Sequence, residues 1–405
     1  MKKFRSVVFG LGAGLFLAAL YGYRLNFPPV TYFDEVHHVG EARRILALGV
    51  KDFSHPPLGR LLIGLGIRLC GDRSWAWRFF PCVAGLATVV VIYFLAKRLT
   101  GNPRLAFFAG FLFCFDCISL TQARIAMLNA AALLFMLLSV LFFLPYAQSK
   151  EGPRSHALLK SGIFLGLALA TKLVSAMILG VMMLLWVKVW RKEKEKLKFV
   201  KETFIFWIFI PLAIYFASYS FFFFIKGKTL RDIWQAQVAM IYYHTHLKAG
   251  HHYSSKWWTW PLMIRPIWYY FKRENGLVYG ILSIGNPAVF WLIPAAVSYA
   301  AWTAWRRKSF PAALVTAGFF IHWVSFAFMK RIKFFHYFDM VMPFVVIAFA
   351  LLLEKMWCSG KGGKALALGY LILVAGFFIY WYPLLTGFPI SEHYFRNHLW
   401  FKSWV

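Results

Sequence analysis

An acidic pair just beyond the first apolar stretch is the part of this sequence best suited to chemistry. Tyr32-Phe33-Asp34-Glu35 stands there, in a chain with 45 Lys and Arg against 15 Asp and Glu. A carboxylate beside apolar segments is costly to hold. We therefore interpret Asp34 as a general base at the water–lipid boundary, with Glu35 orienting a substrate or a second group. The alternative is a structural pair that caps a helix or forms a salt bridge with Arg43 or Arg44.

A histidine and two prolines follow the acidic pair about twenty positions later, in His55-Pro56-Pro57-Leu58-Gly59. Consecutive prolines restrict the backbone, so this segment predicts a rigid turn that ends one helix and redirects the chain. The same rigidity also suits a turn that holds His55 in a site. Both interpretations remain open from the sequence.

Scattered cations in the same part of the chain form a second candidate set. Arginine binds phosphate through paired hydrogen bonds, and lysine adds a compact charge, so together they suit an anionic group. Singly, each also fits an ordinary position at a membrane interface, with its charged end in water. The phosphate- or sugar-binding candidates are Arg78, Arg124, Lys172, Arg265, Lys330 and Arg331. The supporting candidates are His55, Asp116, Asn129 and His336.

Histidines in a later segment offer weaker evidence for a metal. His244-Thr245-His246 and His251-His252 carry side chains that zinc accepts, but no cysteine and few carboxylates accompany them. We therefore assign no metal-binding residue and leave a requirement for a divalent metal open.

The composition indicates what kind of scaffold must position these residues. Hydrophobic residues make up 60% of the 405 residues, and the mean hydropathy is +0.61. A soluble domain of this size could not bury so much apolar surface, so we predict an all-α polytopic membrane protein, with 1–405 as a single domain. The net charge of +30 is typical of loops that face anionic headgroups, and we expect no nucleic-acid partner.

The apolar stretches predict about eleven membrane-spanning helices. The stretch 158–190 has basic residues on both sides, which favours a helical hairpin turning near Thr171-Lys172 over one long tilted helix. The density of Lys and Arg in alternate loops places the N-terminus in the cytoplasm, with most acids and histidines outside. The remaining predicted spans are 7–22, 79–96, 105–120, 126–146, 203–225, 280–304, 311–328, 335–353 and 365–383.

Two long outer loops are predicted, at about 23–78 and about 226–279. In the first, the spacing of apolar and charged residues over Val36–Val50 is typical of an amphipathic helix on the membrane surface. The second is rich in Trp, Tyr and His, and interfacial aromatic residues commonly anchor at headgroup level. The candidate chemistry therefore lies on the outer face.

Several motifs, in their order along nearly the whole chain, resemble the dolichyl-phosphate-mannose–protein O-mannosyltransferases. Tyr32-Phe33-Asp34-Glu35-Val36 and His55-Pro56-Pro57-Leu58-Gly59-Arg60 carry the resemblance in the first outer loop. The segment Tyr253–Pro261, with Arg265-Pro266, is similar to the bacterial branch in particular. The other matching motifs are Trp77-Arg78-Phe79-Phe80-Pro81, Gln122-Ala123-Arg124, Gly166–Lys172, Gly285-Asn286-Pro287 and Arg331 with Phe335-His336-Tyr337.

The resemblance implies a glycosyltransferase of the integral-membrane type-C fold, without the soluble β-trefoil insert of the fungal members. Such enzymes move a sugar, here expected to be mannose, from a polyprenyl-phosphate carrier to Ser or Thr hydroxyls of exported proteins, with inversion. It implies that Asp34 is the catalytic base and Glu35 its partner. One residue departs from the family pattern, because Asn129 stands where an aspartate is expected after Arg124-x-x-x-Leu128.

The expected partners are therefore a polyprenyl-phosphate sugar, an exported acceptor protein or glycan, and the lipids of a bacterial inner or plasma membrane. A sugar on a lipid phosphate is already activated, so no cofactor is expected. A related type-C enzyme that moves another lipid-linked sugar, such as aminoarabinose, onto a lipid or polysaccharide is the first alternative. A transporter is the second, although the sequence lacks the inverted repeats typical of that class.

Overall fold

The computed structural model describes residues 12, 14–148, 155–247 and 250–404, and helices dominate these ranges. Within them, seven helices are long and apolar enough to cross a membrane, or eight if one bent pair counts as a single span. The chain is therefore a polytopic, mainly helical membrane protein, as the composition predicts. The predicted number of about eleven spans is not confirmed.

The helices and strands are numbered in chain order. Residues 7–11 and 13 of the first predicted span lie outside the described ranges. The first part of the chain contains α1 (14–22), α2 (Glu35–Leu46), α3 (Leu58–Cys70), α4 (Ser74–Thr100), α5 (Pro103–Cys114), α6 (Cys117–Ala123), α7 (Asn129–Gln148), α8 (Ser155–Thr171) and α9 (Ile178–Trp190). The second part contains α10 (Lys196–Phe204), α11 (Ile210–Ala217), α12 (Leu230–His246), β1 (Ile267–Glu274), β2 (Leu277–Ser283), α13 (Pro287–Phe290), α14 (Ile293–Arg306), α15 (Phe310–Val324), α16 (Met342–Trp357), α17 (Lys361–Thr386), β3 (Ile390–Ser391) and α18 (Glu392–Asn397).

Short 3₁₀ and π segments extend several of these helices or form turns between them. The π segment Ile205–Phe209 joins α10 to α11, so that one apolar stretch of 29 residues runs over Lys196–Phe224. The 3₁₀ segments are Leu173–Met177, Ser220–Phe224, Trp257–Leu262, Ser325–Phe328, Phe335–Val341 and Lys402–Trp404.

The first long loop folds into two packed helices. The amphipathic helix predicted over Val36–Val50 is observed as α2, which ends at Leu46. Its apolar face buries Val39 and Ala42 in a small core shared with α3 and the start of α4. The segment around His55-Pro56-Pro57 is the turn between α2 and α3, as its two prolines predict.

The predicted span 105–120 is a bent pair rather than one helix. α5 and α6 meet at an angle of 66° around Asp116. α5 begins with Asn102 as N-cap and Pro103 as its first residue, and the Asn102 side chain accepts a hydrogen bond from the amide of Arg104. The N-cap of α6 is Asp116, whose carboxylate accepts a hydrogen bond from the amide of Ser119 at 2.9 Å.

The stretch 158–190 turns back on itself at Lys172, in agreement with the predicted hairpin. α8 ends at Thr171, Lys172 is extended, and a 3₁₀ segment leads into α9. Halfway along α7, the Ser139 hydroxyl contacts both the Ser161 carbonyl of α8 at 2.9 Å and the Met182 sulfur of α9 at 3.5 Å. The two helices therefore lie side by side on α7, and Lys172 marks the tip of the hairpin.

A small antiparallel sheet of order β1-β2-β3 is present where the sequence interpretation expected only helices and loops. The predicted span 280–304 is wrong in its first part, because residues up to Ser283 belong to β2. β1 and β2 form a hairpin through Asn275 and Gly276, both of which have positive φ angles, at 51° and 73°. An Asn-Gly dipeptide between aromatic and β-branched residues is a strong hairpin signal. The sequence therefore contained the evidence for this sheet.

One apolar core runs through the bundle, and α16 lies at its centre. In the most apolar 18-residue window of Phe335–Trp357, 83% of the residues are buried inside the protein, against 22% in that of Lys196–Phe224 at the periphery. Helix packing around this centre brings the start of α2, the hairpin tip at Lys172 and the segment before α16 to the same end of the molecule.

Close approach of α8 to the π segment depends on Gly162. A Cβ atom at this position would lie 1.7 Å from the Phe206 carbonyl oxygen, whereas a Cβ at Gly369 of α17 would meet nothing within 4 Å. We expect Gly162→Ala to destabilise the protein by about 1–3 kcal/mol, because backbone atoms must separate. Gly369→Ala should leave stability unchanged or slightly raised. Thermal unfolding of both variants in detergent measures the difference, and equal unfolding midpoints would contradict this packing.

Candidate active site

A cavity of about 370 Å³ lies at the end of the bundle where the distant segments meet. Its wall includes Asp34 from the start of α2, His55 from the proline turn and Lys172 from the hairpin tip. Arg331 and His336, from the segment before α16, complete the set of predicted residues that face it. With Asp52, His37 and His38, which also line it, the cavity places two carboxylates, two basic side chains and four imidazoles around one space.

Asp34 is one of two half-buried acids of this cavity, and the other, Asp52, is paired with Arg60 at 2.6 Å. It precedes α2 at the N-cap position, but its side chain accepts no capping hydrogen bond. Arg43 and Arg44, the alternative ion-pair partners, instead contact Asp72 and Glu41, each at 2.8 Å. Burial raises the pKa of Asp34 above its ordinary value of 3.8, and the nearby charge of Lys172 opposes that rise. Asp34 thus has the environment of a proton acceptor.

Glu35 has a different environment from its neighbour, because it is fully buried against Arg78. The Arg78 guanidinium donates two hydrogen bonds to the carboxylate, at 2.8 and 2.9 Å, and the Ala126 amide donates a third at 2.8 Å. Arg78 also donates to the carbonyl oxygens of Leu25, Pro28 and Val30. The pair ties the first loop to α4 and to the segment before α7. Neither Glu35 nor Arg78 lines the cavity.

Lys172 begins a chain of buried side-chain hydrogen bonds beneath the cavity. Its amino group donates to the Asn129 side-chain oxygen at 2.5 Å, and the Asn129 amide donates to the Gln122 oxygen at 2.8 Å. The Gln122 amide in turn donates to the hydroxyl of Tyr269 in β1. Tyr269 packs on Phe33, next to Asp34, with ring centroids 4.4 Å apart. These hydrogen bonds therefore connect Lys172 to the ring that packs beside Asp34.

Asn129 stands where the resemblance to the family leads us to expect an aspartate. This network explains what the asparagine does there. Asn129 accepts from Lys172 and donates to Gln122 at the same time, which a carboxylate cannot do. Because an amide is neutral, it leaves the positive charge of Lys172 uncancelled. That charge can then act on an anion in the cavity.

Arg331 lines the same cavity and is held there by two neighbours. Its guanidinium donates to the Nδ1 atom of His244 at 2.9 Å and to the Tyr337 hydroxyl at 3.1 Å. His244, near the end of α12, also contacts the Ser54 carbonyl through Nε2 at 2.8 Å. Both ring nitrogens of His244 are therefore engaged within the protein. Sequence reasoning considered His244 only as a metal ligand and missed this contact, since no sequence spacing connects it to Arg331.

Metal binding finds little support in the histidine-rich segment. Neither ring nitrogen of His244 offers a spare lone pair to an ion, because one faces Arg331 and the other faces Ser54. Across the described ranges, no group of three or more His, Cys, Asp or Glu side chains is placed to hold a metal ion. A divalent metal requirement stays an open prediction.

Several predicted candidates lie away from the cavity. Arg124 is buried and donates to the Tyr21 carbonyl. Asp116 serves as the N-cap of α6 between the bent helices. Arg265 is half-buried and Lys330 is exposed. None of these residues is part of the cavity wall as the described residues define it, so their predicted contacts with a bound sugar or phosphate stay predictions.

An apolar cavity of about 320 Å³ adjoins the charged one. The two share His55, Lys172 and Arg331 at their common boundary, and His244 lines the second cavity. The rest of the second wall is apolar and consists of Leu173, Val174, Ala176, Met177 and Met329. A space with cations at one end and apolar side chains beyond them suits a ligand with an anionic head and a hydrocarbon tail.

Two solved structures share this architecture. The Saccharomyces cerevisiae protein O-mannosyltransferase Pmt1–Pmt2 complex bound to the sugar donor aligns with a TM-score of 0.84, at 14% identity, over 97% of this chain and 91% of that chain. ArnT from Cupriavidus metallidurans bound to undecaprenyl phosphate aligns with a TM-score of 0.58, at 18% identity, over 94% and 70%. The protein thus has the type-C fold of these integral-membrane proteins.

Sequence comparison narrows this class to one family. Residues 71–231 match the model of dolichyl-phosphate-mannose-protein mannosyltransferase, and residues 229–404 match the C-terminal four TMM region of protein-O-mannosyltransferase. The chain belongs to the protein O-mannosyltransferase family, which confirms the resemblance of its motifs. The polyprenol-phosphate-mannose–protein mannosyltransferase of Mycolicibacterium smegmatis (strain MKD8) is 27% identical over 452 residues, covering 92% of this chain and 87% of that protein.

The buried Glu35–Arg78 pair generates a stability prediction. Replacing Arg78 by Gln leaves a buried carboxylate without its cation, and breaking such a pair costs about 3–5 kcal/mol. The exposed Lys272–Glu274 pair is the matched control, and Lys272→Gln should have no measurable effect because solvent screens that contact. Denaturation in detergent compares the two variants. An Arg78→Gln protein as stable as the control would contradict the structural role of the pair.

Proposed function

We propose that this protein transfers mannose from a polyprenyl-phosphate carrier to Ser or Thr hydroxyls of exported proteins, with inversion at the anomeric carbon. The observation that carries the proposal is the shared cavity, which is lined by Asp34, Lys172 and Arg331. Membership of the protein O-mannosyltransferase family and the mycobacterial relative support mannose as the sugar and proteins as acceptors.

The cations suit the leaving group of this reaction. As the bond between the anomeric carbon and the phosphate oxygen breaks, negative charge grows on the polyprenyl phosphate. Lys172 and Arg331 are already in place to stabilise that charge, and preplaced charges act strongly in a partly dry site. The adjoining apolar cavity would receive the first part of the polyprenyl chain. The binding of undecaprenyl phosphate by ArnT, which shares the fold, supports this arrangement.

Asp34 would act on the other side of the sugar. As the acceptor oxygen attacks the anomeric carbon, the Asp34 carboxylate takes the hydroxyl proton, and the polyprenyl phosphate departs with the electrons of the broken bond. Attack from the face opposite the phosphate inverts the anomeric configuration. Glu35 supports this step indirectly, because its ion pair with Arg78 holds the backbone from which Asp34 projects.

Three further points complete the proposal: the cofactor, the orientation in the membrane and the remaining cations. The carrier phosphate activates the sugar, so the protein itself needs no cofactor for the transfer. We place the N-terminus in the cytoplasm of a bacterium and the cavity on the outer face of the inner or plasma membrane, as the distribution of basic loops favours. Arg78 is assigned a structural role through its pair with Glu35, and the donor contacts predicted for Arg124, Arg265 and Lys330 stay predictions.

A transferase for another lipid-linked sugar is less well supported. The likeness to ArnT, at 18% identity, extends to the fold alone. The models of the protein O-mannosyltransferase family, in contrast, together match residues 71–404. Protein mannosylation is therefore the preferred function.

The central test uses purified protein, polyprenyl-phosphate mannose labelled in the sugar, and a Ser/Thr-rich acceptor peptide. We expect wild-type protein to transfer label to the peptide, and Asp34→Asn to reduce the rate roughly 10²–10⁴-fold because the base is lost. Asp72→Asn is the matched control, since Asp72 lies in the same loop but pairs with Arg43 at the surface.

Each outcome of this test has a distinct meaning. Equal rates for wild type and Asp34→Asn would remove Asp34 from the role of base. Absence of transfer by the wild type would mean that the donor or acceptor is wrong, and lipid and polysaccharide acceptors would be assayed next with the same labelled donor.

Asp34 also predicts how the turnover number depends on pH. The base must be ionised, and burial raises its pKa above 3.8, so kcat should be maximal above that raised pKa and fall as the pH drops through it. Measuring kcat at saturating donor across the acid range gives the profile. A kcat that stays constant down to the ordinary aspartate pKa of 3.8 would contradict the assignment.

A further inference from the structure

His244 links the parts of the protein that surround the cationic side of the cavity. It lies on α12, it contacts the Ser54 carbonyl in the loop between α2 and α3 at 2.8 Å, and it receives a hydrogen bond from Arg331 at 2.9 Å. α12 itself begins with a capping box in which Thr229 and Asp232 exchange hydrogen bonds, so its start is well defined. The imidazole therefore joins three segments at one point.

The two contacts determine which form of the imidazole is present. A guanidinium has only donors, so the Nδ1 atom of His244 must accept from Arg331. A carbonyl has only acceptors, so the Nε2 atom must carry the proton that faces Ser54. Only the neutral ring with its proton on Nε2 satisfies both partners. A second proton on Nδ1 would replace the hydrogen bond to Arg331 by repulsion between two cations.

We propose that His244 is a positioning residue that, in its neutral form, holds the Arg331 guanidinium at the cavity for the donor phosphate and releases it in acid. The proposal rests on the proposed function, in which Arg331 contacts that phosphate. Tyr337, at 3.1 Å, is the second contact of Arg331 and does not titrate in the acid range. Loss of the His244 contact would therefore loosen Arg331 without freeing it fully.

The surroundings of His244 favour the neutral ring. The charged or titratable groups that face it are Arg331 from the segment before α16, Lys172 from the hairpin tip, and His55 from the proline turn, with ring centroids 5.3 Å apart. Burial and the positive charges of Arg331 and Lys172 lower the pKa of His244 below 6.5. At pH values above this lowered pKa, His244 is neutral and holds Arg331. The contact is lost as the pH falls through the pKa of His244.

Two neighbouring histidines are also held in the neutral form. Burial lowers the pKa of His38 and of His55 well below 6.5. Protonation of His244 should appear in donor binding, whereas protonation of Asp34 changes kcat. The two effects can be separated in one set of measurements.

The experiment measures binding of undecaprenyl phosphate to the full-length protein in detergent, through the change in tryptophan fluorescence, from neutral to acidic pH. The donor KM and kcat are measured in parallel with labelled polyprenyl-phosphate mannose. The variants are His244→Ala, His244→Gln, Arg331→Ala and the double variant of His244→Ala with Arg331→Ala. His246→Gln is the matched control, because His246 lies two residues further along, is exposed and, within the described part of the chain, hydrogen-bonds to Thr245 and Tyr242 of its own helix.

At neutral pH, we expect His244→Ala to weaken binding roughly tenfold, as befits the loss of one hydrogen bond to a charged group. His244→Gln should restore most of that affinity, since an amide both accepts from Arg331 and donates to Ser54. Wild-type binding should weaken more steeply below pH 6.5 than binding by His244→Gln, whose remaining pH dependence comes from the phosphate monoester itself, with a second pKa of about 6. In the Arg331→Ala background, His244→Ala should have no further effect.

Two results would overturn the proposal, and they differ in what they say about the proposed function. If Arg331→Ala weakens binding but His244→Ala and His244→Gln match wild type at every pH, the positioning role fails and the phosphate role of Arg331 stands. If Arg331→Ala binds as wild type does, the phosphate role fails and the positioning role fails with it. An unchanged acid dependence in His244→Gln would also overturn the proposal, even if His244→Ala proved unstable.

Discussion

The buried ion pair between Glu35 and Arg78 is the interaction on which the rest of the site depends. A carboxylate and a guanidinium removed from water are tolerable only when their remaining hydrogen-bonding atoms also find partners. Here the Ala126 amide and three backbone carbonyls complete the pair. Because those partners come from the loop before α2 and from the segment before α7, the pair fixes the position of the backbone at Asp34. Two adjacent acids thus have separate tasks, one holding the backbone and the other facing the cavity.

The cationic side of the site is built on a different principle, in which charges are held by neutral partners. Lys172 donates to Asn129, and Arg331 donates to the neutral imidazole of His244 and to the Tyr337 hydroxyl. Neutral acceptors orient a cation without cancelling its charge, so the attraction for an incoming phosphate is retained. Hydrogen bonds through Asn129 and Gln122 connect Lys172 to Tyr269, which packs on Phe33 next to Asp34. Tyr269 belongs to β1, so the small sheet contributes one residue to this network.

The differences between expectation and structure have identifiable causes. The sheet was missed because strong hydrophobicity over 280–304 suggested a span, although Asn275-Gly276 is a hairpin signal in its own right. The hairpin at 158–190 was predicted because basic residues on both sides constrain the number of crossings. His244 was not recognised because its partner Arg331 lies 87 positions away, and no local pattern reports a contact at that separation.

The membrane class, the family, the acidic pair and the set of cations from which a phosphate site is made all follow from the sequence. These properties depend on composition and on motifs, which are local. Which of the cations face the cavity depends on how the helices pack. Arg78 and Lys172 look equally suitable in the sequence, yet helix packing turns Arg78 toward Glu35 and Lys172 toward the open space. Hydrophobic periodicity specifies that a helix is buried, but the direction in which a charged side chain points depends on the neighbours that pack against it.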